Sequence, residues 1–225
     1  MKIGIIVAMD KEMALLKPQL GGTTDVSANG FDFHIGTLGG HQIIACKCGI
    51  GKINAAIGAM TLIDMFHPSM VINTGVAGST GKGENPAGIL DVVLADHITF
   101  HDVWCGPGTK WGQAAGCPEA FECPLPESVA AQIGARHGLL ASGDTFIDTQ
   151  EQMSEVLAHQ PEAVAVDMES GAIAQVCHIK DVPFACLRVI SDTPGSEGNA
   201  AAYDAFWENA PEKTFEAVEK LLKLL

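Results

Sequence analysis

The chain has 225 residues, of which 47% are hydrophobic, and a formal charge of −14 from 27 acidic and 13 basic side chains. This composition provides enough apolar surface for a large core, and the acidic charge disfavours contact with nucleic-acid phosphates or anionic membranes. We therefore expect neither a nucleic-acid partner nor a membrane partner. The sequence has no Pro-rich, Ser/Gly-rich or like-charged run that would mark a linker, so we predict a single domain over 1–225.

Short apolar stretches and scattered cysteines predict a cytoplasmic protein. The apolar run at 3–9 is too short for the core of a signal peptide, and no stretch approaches the roughly 20 apolar residues of a membrane span. The seven cysteines are an odd number, which is typical of reduced thiols packed as small hydrophobes. Neither Cys46-x-Cys48 nor Cys117-x5-Cys123 has the spacing of zinc ligands, so we expect no metal.

β-branched runs alternate with helical patterns along the chain. In chain order, strands are predicted over 2–8, 31–37, 41–47, 69–73, 91–99, 138–142, 162–166 and 183–190, and helices over 10–17, 52–66, 127–137, 150–159, 169–179 and 203–224. Several strands are apolar on both faces, as expected where helices cover both sides of a sheet. This alternation predicts an α/β layered fold with a largely parallel central sheet.

Polar or Gly-rich clusters follow the carboxyl ends of five predicted strands. They are Met9–Glu12, Thr74–Gly78, Ser142–Ile147, Asp167–Glu169 and Ser191-Asp192. In open α/β sheets, ligands bind in the crevice outside those ends. An acid directly after a strand is more often a helix cap or a solvated turn. Three carboxylates at one edge, from Glu12, Glu169 and Asp192, nevertheless favour a shared site.

Three patterns that resemble cofactor or metal motifs fail in detail. The run CGIGK at 48–52 lacks the first Gly and the Ser/Thr of a phosphate loop, which favours a tight turn with Lys52 at a solvated helix start. No G-x-G-x-x-G follows a predicted strand, so a dinucleotide cofactor is not supported. His97 and His101 lie in a strand-like run, about 13 Å apart and too far for one ion. We expect no cofactor.

Six motifs, in a fixed order over nearly the full length, carry a resemblance to a known family. They are MKIGIIVAMDKEM at 1–13, CGIGKINAA at 48–56, INTGVAG at 72–78, SGDTFI at 142–147, VDMES at 166–170 and RVISD at 188–192. With these motifs the chain resembles the 5′-methylthioadenosine/S-adenosylhomocysteine nucleosidases of the nucleoside phosphorylase superfamily. The resemblance implies a three-layer α/β/α fold around a mixed, partly barrel-like central sheet. It also implies a homodimer in which the loop at 101–118 reaches into the partner's site.

The resemblance implies which residues break the bond between a purine base and its ribose. Asp192 matches the general acid that protonates the base at N7, with Ser191 to orient it. Glu12 matches the carboxylate that positions and deprotonates the attacking water, with Arg188 as a second contact to that water. Glu169 matches the acceptor for the ribose hydroxyls, and the dipole of the helix that it opens supports its negative charge.

Further positions are implied to hold the substrate. Phe146 would stack on adenine, the backbone of Ile147 would read its exocyclic amine and ring nitrogen, and Met168 would pack beneath the ribose. The 5′ alkylthio pocket is implied for Met9, Ile50 and Tyr203, and the remaining positions are Val76, Ala77, Gly78 and Asp167. For the residues of the 5′ pocket, packing in the core is an equally good explanation. Val76 replaces a serine of the family, Asp167 replaces a glutamate, and the loop over 103–116 is about one residue shorter and has fewer aromatic residues.

Three other functions stay open on the sequence. A phosphorylase of the same superfamily is disfavoured because only Arg136 and Arg188 could fork a phosphate, Arg136 falls in the predicted helix 127–137, and Glu12 would repel the anion. A nucleosidase for another 5′-substituted adenosine, such as aminofutalosine or 5′-deoxyadenosine, would differ in the 5′ pocket and the loop. A non-catalytic nucleoside-binding module would have no use for a carboxylate that activates water.

Overall fold

The computed structural model describes residues 1–196, 199–209 and 213–225. Within them lie ten strands: β1 (Lys2–Val7), β2 (Gly21–Ala28), β3 (Phe31–Leu38), β4 (His41–Lys47), β5 (Met70–Ser79), β6 (Val92–Phe100), β7 (Phe121–Glu122), β8 (Ala135–Ser142), β9 (Ala163–Asp167) and β10 (Phe184–Asp192). The α-helices are α1 (Asp10–Leu16), α2 (Lys52–Phe66), α3 (Glu127–Ile133), α4 (Gln150–His159), α5 (Ser170–Lys180), α6 (Asn199–Asn209) and α7 (Lys213–Leu222).

One mixed sheet contains all ten strands. Their order is β10-β6-β8-β9-β5-β1-β4-β3-β2, and β7 pairs with β6. Because β10 also pairs with β5, the strands β5, β10, β6, β8 and β9 close a ring, from which β1, β4, β3 and β2 extend as an open sheet. Pairings on β1 are parallel, whereas β10–β6, β5–β9 and β2–β3–β4 are antiparallel. Because β10–β5, β6–β8 and β8–β9 are parallel as well, the centre of the sheet is largely parallel as predicted, and the mixed, partly barrel-like form is confirmed.

Helices cover both faces of the sheet. On β1, Ile3, Ile5 and Val7 pack with residues of α1, α3 and α7, whereas Ile6 packs with residues of α2 and α5. These four side chains are fully buried, and each contributes roughly 1.5–3 kcal/mol of hydrophobic stabilisation. The three-layer α/β/α arrangement is confirmed. Among the helices of the described ranges, none is both long and apolar enough to cross a membrane.

The predicted helix over 127–137 is wrong in its second half. Helix α3 ends at Ile133, Gly134 caps it with a left-handed φ of 72°, and β8 begins at Ala135. Arg136 therefore lies in a strand, where its Nε atom donates to Asp91 Oδ2 at 2.8 Å. Strand β2 was not predicted because its residues are almost all exposed and polar, so no apolar alternation marks it.

Two helices, α6 and α7, replace the single helix predicted over 203–224. Positions 210–212 of that prediction lie outside the described residues. The sequence has Pro211 there, and proline disfavours a continuous helix because it lacks an N–H donor and clashes with the preceding turn. Helix α6 begins at Asn199, four residues before the predicted start, and carries Tyr203.

Candidate active site

A cavity of about 680 Å³, including its open mouth, lies where β1, β5, β8, β9 and β10 end. Of the predicted site residues, those that line it are Met9, Glu12, Ile50, Val76, Ala77, Gly78, Phe146, Ile147, Asp167, Met168, Glu169, Ser191, Asp192 and Tyr203. Arg188 is not among the lining residues. Ala8, Thr145, Val166 and Pro194 also line the cavity and were missed. The first three lie within the matched motifs, so the motifs could have indicated them.

Glu12 is fixed at the start of α1 by three backbone amides. Its Oε2 atom accepts from the N–H groups of Ala8 at 2.8 Å and Met9 at 2.9 Å, and Oε1 accepts from that of Val76 at 3.3 Å. Burial raises the pKa of Glu12, although the charge of Arg188 and these amides oppose the rise. The result is an immobile carboxyl group whose affinity for a proton exceeds that of an exposed glutamate. Such a group is suited to removing a proton from water.

Gly75 in β5 lets Glu12 approach the sheet this closely. Its φ is +152°, and a Cβ atom at this position would collide with Glu12 Oε1 and lie 3.1 Å from Arg188 Nη1. Any larger residue would therefore push the carboxyl group away from its three amide donors. Position 75 therefore requires a glycine, because only a residue without a Cβ atom leaves room for the Glu12 carboxyl group.

Arg188 lies behind the cavity wall, in a buried ion cluster. Its Nε and Nη2 atoms are both 2.8 Å from Asp167 Oδ2, and Nη2 is 4.0 Å from Glu169 Oε2 and also donates to Asn73 Oδ1. The side chain is 2% exposed. Its Nη1 atom lies on the side of Glu12, since a Cβ atom on Gly75 would be 3.1 Å from Nη1 and would collide with Glu12 Oε1. The predicted contact between Arg188 and the attacking water therefore stays a prediction, and Arg188 also neutralises the acids around it.

The carboxylate of Asp167 faces this cluster, although the residue lines the cavity. Burial opposes its ionisation, but the Arg188 guanidinium and the Ser170 hydroxyl, which donates to Oδ1 at 2.9 Å, outweigh that cost and lower the pKa of Asp167. Asp167 is thus a buried anion held by partners of its own chain. Arg188 and Asp167 therefore form a buried ion pair beneath the cavity.

Glu169 caps the N-terminus of α5, at the helix start that the sequence predicted. Its Oε1 atom accepts from the backbone N–H of Gly51 at 3.0 Å. Burial and the charge of Asp167 raise the pKa of Glu169 to about 7, although Arg188 and the Gly51 amide oppose them. The helix dipole was expected to stabilise the negative charge of Glu169, but burial and the charge of Asp167 have the larger effect on its pKa. Near neutral pH the side chain exchanges between its charged and neutral forms, and both can hydrogen bond a hydroxyl.

Asp192 is presented to the cavity by a bulge in β10. The register against β5 shifts between Ile190 and Asp192, so Ser191 is the extra residue and re-aims the next side chain. Ser191 Oγ donates to Asp192 Oδ1 at 2.6 Å, as the predicted orienting role requires. Burial raises the pKa of Asp192, although hydrogen bonds from Ser191 and Asn199 oppose it. The site therefore makes protonation of Asp192 easier than that of an exposed aspartate, which is the direction that a general acid needs.

Exposed apolar residues surround the mouth of the cavity. Phe146 is 55% exposed and meets the ring of Tyr203 edge-on, with 6.4 Å between ring centroids. Tyr203 Oη in turn donates to Met9 Sδ at 3.7 Å. Ile50 is 52% exposed. Packing in the core, which the sequence left open as an explanation for the residues of the 5′ pocket, does not account for Ile50.

The two tryptophans of the 101–118 loop, Trp104 and Trp111, have different environments. Trp111 stacks on His159 with 3.9 Å between ring centroids and donates from Nε1 to the backbone carbonyl of His101 at 2.9 Å. Trp104 is 57% exposed. The ring of Trp111 is therefore held against its own chain, whereas the ring of Trp104 is largely in contact with water.

The expectation of a solvated Lys52 is wrong. Its Nζ atom lies 2.8 Å from Asp102 Oδ1 and 5.4 Å from the centroid of the Phe100 ring. In the described part of the chain, no group of His, Cys, Asp and Glu side chains has a metal-binding arrangement. All seven cysteines lie in that part and are free thiols.

A mixed sheet that closes a ring, with a cavity at its strand ends, is typical of enzymes that cleave nucleosides. This chain belongs to the phosphorylase superfamily, whose sequence model matches residues 2–223. The 5′-methylthioadenosine/S-adenosylhomocysteine nucleosidase of an Exiguobacterium species is 37% identical over 234 residues, covering 100% of this chain and 99% of that protein. The Neisseria meningitidis nucleosidase of the same name, in complex with methylthio-immucillin-A, is 33% identical, with a TM-score of 0.92 over 100% and 99% of the two chains. A futalosine hydrolase mutant of Helicobacter pylori is 27% identical, with a TM-score of 0.87 over 100% and 99%.

Proposed function

We propose that this chain hydrolyses the N-glycosidic bond of 5′-methylthioadenosine and S-adenosylhomocysteine, releasing adenine and the 5-thio-substituted ribose. The observation that carries the proposal is the pair of buried carboxyl groups, Glu12 and Asp192, that line one cavity and both have a raised pKa. The full-length similarity to nucleosidases of that name supports the same substrates. The substrate is a small nucleoside.

Breaking this bond requires help at the leaving base, the ribose and the water. Asp192, kept protonated by burial and oriented by Ser191, donates its proton to N7 so that adenine leaves neutral. Glu169 hydrogen bonds the ribose hydroxyls while positive charge develops on the sugar. Glu12 removes a proton from the water that attacks the anomeric carbon. Phe146 stacks on the base.

Water is favoured over phosphate as the nucleophile because both arginines have partners. Arg188 is paired with Asp167, and Arg136 is paired with Asp91 away from the cavity. A phosphate beside Glu12 would place like charges about 4 Å apart, which costs roughly 4 kcal/mol at an effective dielectric near 20. The arrangement therefore supports hydrolysis over phosphorolysis.

A panel of nucleosides tests the proposed substrates. Adenine release is measured with 5′-methylthioadenosine, S-adenosylhomocysteine, aminofutalosine, 5′-deoxyadenosine, adenosine and inosine. We expect the two thio-substituted adenosines to give the highest kcat/KM. A highest kcat/KM for aminofutalosine would assign the chain to the class of its futalosine hydrolase relative instead, and binding without release of any base would make it a binding module.

Replacing Gly75 with alanine should lower kcat/KM for 5′-methylthioadenosine by about 10²-fold, because the added Cβ displaces the Glu12 carboxyl group from its amide donors. The measurement is adenine release by the purified variant at equal protein concentration. Gly88→Ala is the matched control, since a Cβ there meets no atom closer than 3.9 Å. Loss of activity in both variants, or in neither, would contradict this role of Gly75.

We also propose a homodimer in which the 101–118 loop of each subunit lies near the partner's 5′ pocket. Ile53 and Ile57 on α2 are 73% and 51% exposed, Ile50 just before this helix is 52% exposed, and Trp104 of the loop is 57% exposed. Large exposed apolar patches of this kind are typical of association surfaces. Sedimentation should give a dimer at micromolar concentration. A fully active monomer at that concentration would refute the proposal.

The proposal also includes the domain organisation of the chain and its cellular compartment. One continuous ten-stranded sheet supports a single nucleosidase domain over 1–225. The seven free thiols support a reducing compartment, and we propose the cytoplasm. Fractionation of cells that produce the protein tests the second property directly, because an exported protein would leave the cytoplasmic fraction.

A further inference from the structure

A network of three charged residues joins the start of α2 to two loops next to the cavity. Lys52 Nζ lies 2.8 Å from both carboxylate oxygens of Asp102. Asp102 Oδ2 also accepts from the backbone N–H of Asp144 at 2.8 Å, and Asp144 Oδ1 accepts from the backbone N–H of Lys52 at 2.7 Å. Each of the three residues thus contacts the other two. None of them lines the cavity.

The neighbours of this network do line the cavity or bind its carboxyl groups. Gly51, directly before Lys52, donates its N–H to Glu169 Oε1 at 3.0 Å. Phe146 and Ile147 follow Asp144 by two and three residues and line the cavity. The network therefore lies between the loop that would hold adenine and the amide that holds Glu169.

The contacts are more sheltered than those of an ordinary surface ion pair. The side chains of Lys52 and Asp102 are 22% and 23% exposed, against 41% and 88% for the pair of Lys47 and Asp10. Shielded pairs are screened less by salt, and networks contribute more than isolated exposed pairs. Gly51 adopts a φ of +92°, and a Cβ there would lie 3.0 Å from Asp144 Oδ1. The absence of a Cβ atom at Gly51 thus allows the side chain of Asp144 to approach the turn closely.

We propose that Lys52, Asp102 and Asp144 are positioning residues, which hold the adenine-binding segment 143–147 in register with the Gly51 amide and its partner Glu169. This inference rests on the proposed function. Asp102 also lies at the start of the 101–118 loop, so the network connects that loop to both sides of the cavity. The three residues act through their neighbours, and none contacts the substrate.

The experiment compares Lys52→Met with wild-type protein, Lys52→Arg and Lys180→Met. The last is the matched control, because Lys180 pairs with Asp64 of the same helix α2 at 2.7 Å but away from the cavity. Adenine affinity is measured by titration calorimetry, and kcat and KM with 5′-methylthioadenosine. Lys52→Met should raise both the Kd for adenine and KM about tenfold, with a smaller change in kcat, because the binding segment is displaced. Lys52→Arg should restore most of the affinity, and Lys180→Met should match wild type.

Asp102→Asn provides a second variant if Lys52→Met does not fold, since it keeps the side-chain shape and removes the charge that faces Lys52. It should raise the Kd for adenine in the same direction. Adenine affinity within twofold of wild type in a folded variant, or an equal loss in Lys180→Met, would overturn the inference. Wild-type protein that binds adenine without cleaving nucleosides would refute the proposed function, and the adenine titrations would still test the network. Wild-type protein that fails to bind adenine would overturn both.

Discussion

Replacing Asp192 with asparagine should lower kcat by ~10²–10⁴-fold while the fold stays intact, because an amide cannot donate a proton to the leaving base. The isosteric amide can keep a hydrogen bond to Ser191, so the unfolding temperature should change little. Adenine release under saturating 5′-methylthioadenosine measures kcat. Asp10→Asn is the control, since Asp10 is exposed and pairs with Lys47 outside the cavity.

The leaving group distinguishes proton donation from other roles of Asp192. A 4-nitrophenyl riboside releases its leaving group without protonation, so the defect of Asp192→Asn should become much smaller with that substrate. A folded variant that keeps more than about a tenth of the wild-type kcat with 5′-methylthioadenosine, where loss of general acid catalysis should cost at least ~10²-fold, would refute the assignment. An equal loss with both substrates would mean that Asp192 acts on the ribose or on the fold.

Replacing Glu12 with glutamine should also lower kcat by ~10²–10⁴-fold, because the amide cannot accept a proton from water. Unlike Asp192→Asn, this variant should lose activity equally with the 4-nitrophenyl riboside, since water must still be activated there. KM and adenine affinity should change little, because Glu12 faces the water and not the base. Glu127→Gln, a substitution in the first turn of α3, is the matched control.

The two variants together separate the roles of the two carboxyl groups. Loss of substrate binding with unchanged chemistry in Glu12→Gln would reverse the role of Glu12. A defect in Glu12→Gln that disappears with the activated substrate would make Glu12 the proton donor. Burial raises the pKa of both carboxyl groups, and hydrogen bonds oppose the rise at both, so the response to the two substrates is what distinguishes their roles.

Sequence alone predicted most of the cavity because its residues lie in short local motifs at strand ends. Glu12, Glu169 and Asp192 each follow or end a strand, and the parallel pairings β1–β5 and β5–β10 bring the ends that carry Glu12 and Asp192 to one edge. The antiparallel pairings and the ring closed by β10 and β5 could not be read from periodicity, since a buried strand is apolar on both faces in either direction.

The sequence did not indicate contacts between side chains from distant parts of the chain. The partners of Arg188, Asn73 and Asp167, come from two other strands. Lys52 was expected in solvent, but Asp102 follows it by 50 residues and lies against it. A sequence pattern indicates which residues share an element. It does not indicate which distant charge will face a given side chain.

The nucleophile is the most direct test of the proposed hydrolysis. Adenine release from 5′-methylthioadenosine is followed in phosphate-free buffer made with ¹⁸O-labelled water, and the sugar product is identified by mass spectrometry. We predict the full rate without phosphate and free 5-methylthioribose that carries one ¹⁸O atom at its anomeric carbon. A rate that rises in proportion to added phosphate, with the ribose 1-phosphate as the main product, would contradict the account.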